Sequence, residues 1–160
     1  MSLEIMKRME LFDGVGEQEL RSIFELCRPM VVDRGAVLFE IDSEGTELFI
    51  MLRGRVSIAL VAGASTHELV SFEREQHLFG ELALIDGHRR SATVTAVDEL
   101  ELLCLRRHDL NALLEKNDHL GFVLMTNLTR IVAGKLRNTN QLLRNLLSQQ
   151  QSIFKAINLS

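Results

Sequence analysis

The chain has 160 residues and 18.1 kDa, 46% hydrophobic and 25% charged, which is enough for one domain to bury a core without metals or crosslinks. No apolar run approaches the roughly 18 uncharged residues of a membrane helix, and Glu4, Lys7 and Arg8 interrupt Met1 to Met9 where a secretory signal needs an apolar core, so a soluble, cytoplasmic protein without membrane contact is expected. Residues 1–107 hold 12 Lys and Arg against 19 Asp and Glu, and residues 108–160 hold 6 against 3, so a body of −7 carries a tail of +3 and the whole surface is not built to grip nucleic acid.

In chain order, Leu20, Ile23, Phe24 and Cys27 fall at helical spacing between Gly16 and Pro29, predicting a short amphipathic helix over Glu17 to Cys27 within a helical segment 1–28. The texture of residues 29–107 is different. Short β-prone runs (Val37 to Phe39, Leu48 to Leu52, Val56 to Val61, Leu69 to Phe72, Ala92 to Val97, Leu100 to Leu105) alternate with Gly35, Gly45, Gly54 and Gly63, which read as corners with positive φ. Cys27 and Cys104 sit in apolar patterns and read as core. His67, His77, His88, His108 and His119 form no His-x-His pair, so neither a metal nor a resident cofactor is expected.

Residues 108–160 form a helical segment: 108–116 return to helical spacing through Leu110, Leu113 and Leu114, and Asn117-Asp118 offers a cap for a helix of about 119–157. Along that helix Leu136, Thr139, Leu143, Leu146, Gln150, Ile153 and Ile157 alternate steps of three and four. A helix of about 38 residues extends ~57 Å, further than a small domain can cover, which favours a homodimer seam over packing on its own domain.

The segment 79–92 carries the chemistry. Gly80 allows close approach of a ligand, and Glu81 to Leu84 can form a helical turn whose first amides face an anion. Arg90 supplies a permanent planar fork of donors for two phosphate oxygens. Glu81 would repel a phosphate, so it implies a hydroxyl nearby, as where a carboxylate holds a ribose. Ser91 adds a hydroxyl and Ala92 leaves its amide accessible. Phe-Gly-Glu alone marks only a turn before a capped helix; the ordered set within one β-rich segment is what points to a sugar phosphate. No nucleophile with an adjacent base accompanies it, so no enzyme is expected.

Phe79 to Leu84 with Arg90-Ser91-Ala92 resembles the phosphate-binding cassette of the cyclic nucleotide-binding domains found in bacterial catabolite activator (Crp/Fnr-type) proteins and in regulatory subunits of cyclic-AMP-dependent protein kinase. The resemblance extends from residue 11 to about 147. It implies an α+β fold: an eight-stranded antiparallel, jelly-roll-like β-roll with a short N-terminal helix and C-terminal helices, the last long and dimer-forming. It further implies that Glu81 binds the ribose 2′-hydroxyl and Arg90 the cyclic phosphate. The amides of Gly80, Leu82 and Ala92 and the Ser91 hydroxyl complete a cradle that also includes Phe79 and Ala83. Thr139 and Asn140 match the helix positions that present polar groups to the base, favouring cyclic AMP over cyclic GMP. Ile41 to Thr46 departs from the Gly-Asp pair more usual in the family, a change expected to affect loop shape more than the site. The activator proteins continue into a DNA-reading helix-turn-helix, whereas this sequence stops at Ser160. The expectation is therefore a sensor without DNA binding, acting on a downstream protein partner, or else the sensor part of a longer regulator or a ligand-free dimerisation scaffold.

Overall fold

The computed structural model describes residues 2–61, 68–73 and 77–157. Helix α1 (Ser2–Met6), a 3-10 turn (Glu10–Phe12) and α2 (Glu17–Leu26) precede strands β1 (Arg28–Val32), β2 (Val37–Phe39), β3 (Glu47–Arg53), β4 (Val56–Val61), β5 (Glu68–Glu73) and β6 (Leu78–Phe79). The one-and-a-half-turn helix α3 (Glu81–Asp86) leads to β7 (Thr93–Ala96), β8 (Leu100–Arg106), α4 (Arg107–Leu114) and the 40-residue α5 (Asp118–Ile157). The strands form two four-stranded antiparallel sheets, ordered β1-β8-β3-β6 and β2-β7-β4-β5.

The alternation of side chains along a strand explains why Leu48 to Leu52 of β3 and Leu102 to Leu105 of β8 are unbroken apolar runs: both faces of their sheet are covered there. Leu48, Ile50, Leu103 and Leu105 face a helical layer built from Met6, Phe12, Leu20, Ile23, Leu110, Leu120, Leu124 and Leu128. Phe49, Met51 and Leu102 face the other way and meet Val56, Phe79, Val94 and Ala96 between the sheets. Asn127, 3% exposed, donates to the carbonyls of Leu11 (3.0 Å) and Asp13 (2.7 Å) and so ties α5 to the 3-10 turn. Asn117 caps α5, its Oδ1 accepting the Leu120 amide at 3.0 Å.

Three sequence readings change. Pro29 does not merely stop α2: it lies in β1, an edge strand paired with Leu103, where a missing N–H costs no ladder bond. Helix α4 runs 107–114 rather than 108–116, with Arg106 as its extended N-cap residue. Gly35 and Gly54 have φ of +85° and +100°, but Gly45 is not among the positive-φ residues, and Gly63 lies outside the described residues. As its length implied, α5 packs on its own domain as far as Lys135 and then leaves it, residues 136–149 all being exposed. The side chains of Gln150, Ile153 and Ile157, part of the expected seam, lie outside the described residues.

Candidate functional site

The site is built where β6 ends. Phe79 is buried at 2% and pairs with Phe49 on β3; their rings stack at 5.5 Å, with Phe39 at 5.8 Å from Phe49. Gly80 follows with φ +83°, the left-handed turn that starts α3, and a Cβ there would meet the Glu47 carbonyl at 2.7 Å. This turn directs the first residue of α3, Glu81, inward, where it is 6% exposed. Ala83 and Ala92 are buried beside it, Leu82 is half-buried, and Ser91 is exposed.

Arg90 is 3% exposed although it is a permanent cation. Its Nη1 donates to the Glu47 carbonyl (2.9 Å) and more weakly to the Gly80 carbonyl (3.4 Å), and its Nη2 donates to Glu47 Oε2 (3.1 Å). The guanidinium carbon stands 4.3 Å from the Phe39 ring centre, a cation–π contact. Nε has no hydrogen-bond partner among the described residues. Burial holds the guanidinium below its ordinary pKa, and the Glu47 carboxylate pulls it back up.

The loop before β3, whose unusual sequence was expected to affect loop shape more than the site, is hydrogen-bonded to the cassette at Arg89 and Arg90. The Asp42 amide donates to the Arg90 carbonyl (2.8 Å), the Arg90 amide to the Ser43 carbonyl (2.9 Å), and Arg89 Nη1 to the Asp42 carbonyl (2.8 Å). Asp42 stands at φ +63°, a left-handed position that Asp tolerates better than most residues. Gly45 lies so close to Arg90 that a Cβ would collide with Nε, Nη2 and Cζ, so its requirement is space rather than turn geometry.

Two participants escaped the sequence reading. Glu47 opens β3, 43 positions from Arg90, and nothing in its local pattern marks it. Lys135 of α5 donates to Glu81 Oε1 (2.9 Å) and to the Leu78 carbonyl (3.0 Å), binding the long helix to the cassette. Thr139 and Asn140 are exposed, and the Thr139 hydroxyl donates back to the Lys135 carbonyl at 3.0 Å, so Lys135 is the residue that bridges α5 and Glu81 in this chain. The structure thus brings Phe79, Gly80, Glu81, Ala83, Arg90 and Ala92 together and leaves Thr139 and Asn140 on the projecting helix. Among the described residues no group of three metal-ligating side chains occurs. Both cysteines are free and half-buried, with burial raising the Cys27 thiol to about 12.

Comparison with known proteins agrees with this geometry. Residues 29–117, more than half of the chain, match the family model "Cyclic nucleotide-binding domain". The chain is 26% identical over 144 residues to a CRP-like cAMP-activated global transcriptional regulator of Mycobacterium tuberculosis, covering 90% of this chain and 62% of that protein. It is 33% identical over 115 residues to a cyclic nucleotide-gated potassium channel of Rhizobium etli, covering 69% of this chain and 29% of the channel. The catabolite activator protein of Thermus thermophilus superimposes with a TM-score of 0.74 at 28% identity, over 87% of this chain and 63% of that one. The chain therefore spans a little over three fifths of the regulators it matches and less than a third of the channel. By that match the chain belongs to the cyclic nucleotide-binding domain family.

Proposed function

We propose that the chain is a non-enzymatic cyclic nucleotide sensor that prefers cyclic AMP and acts as a homodimer through movement of α5. The observation that carries the reading is Arg90: a buried permanent cation with an unpartnered Nε, within a segment that the family model matches. A buried donor without a partner costs about 1–3 kcal/mol, and a phosphate oxygen is the acceptor that would both satisfy it and balance its charge. In this reading Glu81 accepts from the ribose 2′-hydroxyl, and Phe79, Gly80, Leu82, Ala83, Ser91 and Ala92 complete the cradle. Thr139 and Asn140 offer polar groups to the base once α5 moves. The mycobacterial relative, described as cAMP-activated, supports the choice of nucleotide.

The Lys135–Glu81 ion pair supports a mechanism. A ligand hydroxyl that takes Glu81 competes with Lys135, so ligand and helix position are linked, and the ligand shifts the helix by its differential affinity for the two arrangements. The exposed Leu136, Leu143 and Leu146 support a dimer seam. Steps of three and four continue it backward through Val132 and Thr129 to the exposed Met125 and Phe122, on the flank of α5 that adjoins the buried Leu124 and Leu128. What the sensor instructs is then a separate protein or a further part of a longer chain.

Titration calorimetry with cyclic AMP and cyclic GMP tests the reading, together with melting at 100 times the dissociation constant, where a ligand adds ~2.7 kcal/mol of stability. Cyclic AMP is expected to bind more tightly, and Arg90→Ala to weaken it by about 2–4 kcal/mol. Tighter binding of cyclic GMP would overturn the base preference. Absence of binding by either nucleotide would favour a ligand-free scaffold, the reading that the internal pairing of Glu81 with Lys135 and of Arg90 with Glu47 supports.

A further inference from the structure

Arg90 has a carboxylate of its own. The guanidinium lies in a slot between Gly45 and Gly80, either of which would collide with it if it carried a Cβ, and the Phe39 ring lies 4.3 Å from Cζ. In that slot Glu47 engages it twice, by carbonyl and by carboxylate, at 2.9 and 3.1 Å. Oε2 of Glu47 accepts the Thr46 amide at 3.0 Å as well, which holds the carboxylate over the cation. The same Nη2 is one arm of the Nε/Nη2 fork that recognises an oxyanion bidentately. Glu47 thus presents to Arg90 the kind of group that a phosphate would present, while its own side chain, 35% exposed, needs only a rotation to reach solvent.

We infer that Glu47 is an internal competitor for the ligand phosphate: it holds Arg90 in the empty state, and a bound cyclic nucleotide must displace it. The inference rests on the cyclic nucleotide reading of the site and adds to it the residue that sets affinity. A purely positioning role for Glu47 makes the opposite prediction, because a carboxylate that merely presents Arg90 to the ligand would strengthen binding. Competition lowers apparent affinity by the fraction of time Arg90 is free; a cation held by Glu47 nine-tenths of the time imposes about a ten-fold loss. The same pairing stabilises the empty protein, since a buried cation deprived of its partner is costly. Removing the carboxylate should therefore move the two properties in opposite directions.

The test is calorimetric titration of the unmodified chain, Glu47→Gln and Glu47→Asp with cyclic AMP and with cyclic GMP, alongside melting of each protein without ligand. Glutamine keeps the length and loses the charge; aspartate keeps the charge and loses the reach to Nη2, and it serves if the glutamine variant fails to fold. Both variants are expected to melt below the unmodified chain when empty and to bind the nucleotide several-fold more tightly, up to about ten-fold. Unchanged or weaker binding by the variants, with the unmodified chain binding normally, overturns the inference alone. No binding of either nucleotide by the unmodified chain overturns the functional reading, and the competitor role with it.

Discussion

Replacing Lys135 by Met keeps the aliphatic stem and the helix propensity of α5 but removes its ammonium from Glu81. The cost follows from the burial of the two ends. Breaking a fully buried ion pair costs about 3–5 kcal/mol, whereas an exposed pair contributes 0.2–1 kcal/mol at roughly its upper range. Here the carboxylate side chain is 7% exposed and the lysine 33%, so one end is desolvated and the other partly screened. The Leu78 carbonyl also loses the donor that reaches it at 3.0 Å. The expected loss is about 1–2 kcal/mol, or a fall in melting temperature of about 2–8 °C for a chain of this size. With no Trp or Tyr in the chain, unfolding is best followed by far-ultraviolet circular dichroism at fixed protein concentration. Glu81→Gln should cost less than Lys135→Met, and the double variant less than the sum, with a coupling of about 1 kcal/mol. Hydrogen exchange should quicken in the turns of α5 around residue 135, where the helix loses its tie to the cassette. A Lys135→Met variant within about 0.3 kcal/mol of the parent, with no coupling to Glu81, would show that the bridge is not made in solution and would remove the proposed link between ligand and helix.

Gly45→Ala tests whether that glycine serves Arg90. A Cβ must displace the guanidinium, so a loss of about 1–3 kcal/mol in denaturant unfolding is expected together with weaker cyclic nucleotide binding, and a neutral substitution would refute the close contact. The dimer seam predicts a dimer by light scattering at micromolar concentration. Leu143→Glu, which places a charge on an exposed seam position, should give a monomer without lowering the stability of the β-roll; a monomeric unmodified chain would refute the seam.

The elements were legible wherever their residues carry a local pattern. Val56 to Val61 is a strand in the sequence and in the structure because β-branched residues bounded by glycine leave few other options. The start of α5 could be read from Asn117 because capping is a three-residue interaction. Strand β1 was not read as one because Pro29 looks like a terminator until the position of β1 at the edge of the sheet is known, and edge position is a property of the assembled sheet. The cassette divides in the same way. Glu81 and Arg90 lie nine positions apart and their chemistry implies each other, so a reader of the sequence can pair them with a sugar and a phosphate. Their partners in the structure come from β3 and α5, 43 and 54 positions away, and a lone Glu at a strand start or a lone Lys on a helix carries no sign of what it meets.

In the proposed sensor, nearby and distant residues would have different tasks. Residues adjacent in sequence can define what the ligand must be, but only distant residues can report that it has arrived, because a signal requires a contact that changes between separately placed elements. Lys135 links the cassette to a helix that is exposed throughout residues 136–149, so in the proposed mechanism loss of that ion pair would free α5 where it leaves the domain. On that mechanism linkage requires reciprocity: whatever free energy the Lys135–Glu81 pair contributes without ligand would lower ligand affinity and bias the helix by the same amount. A tighter bridge would make a weaker receptor with a larger response, and a looser one the reverse. Its burial at one end and exposure at the other keep it near 1–2 kcal/mol, inside the range of coupling energies that regulate binding without abolishing it.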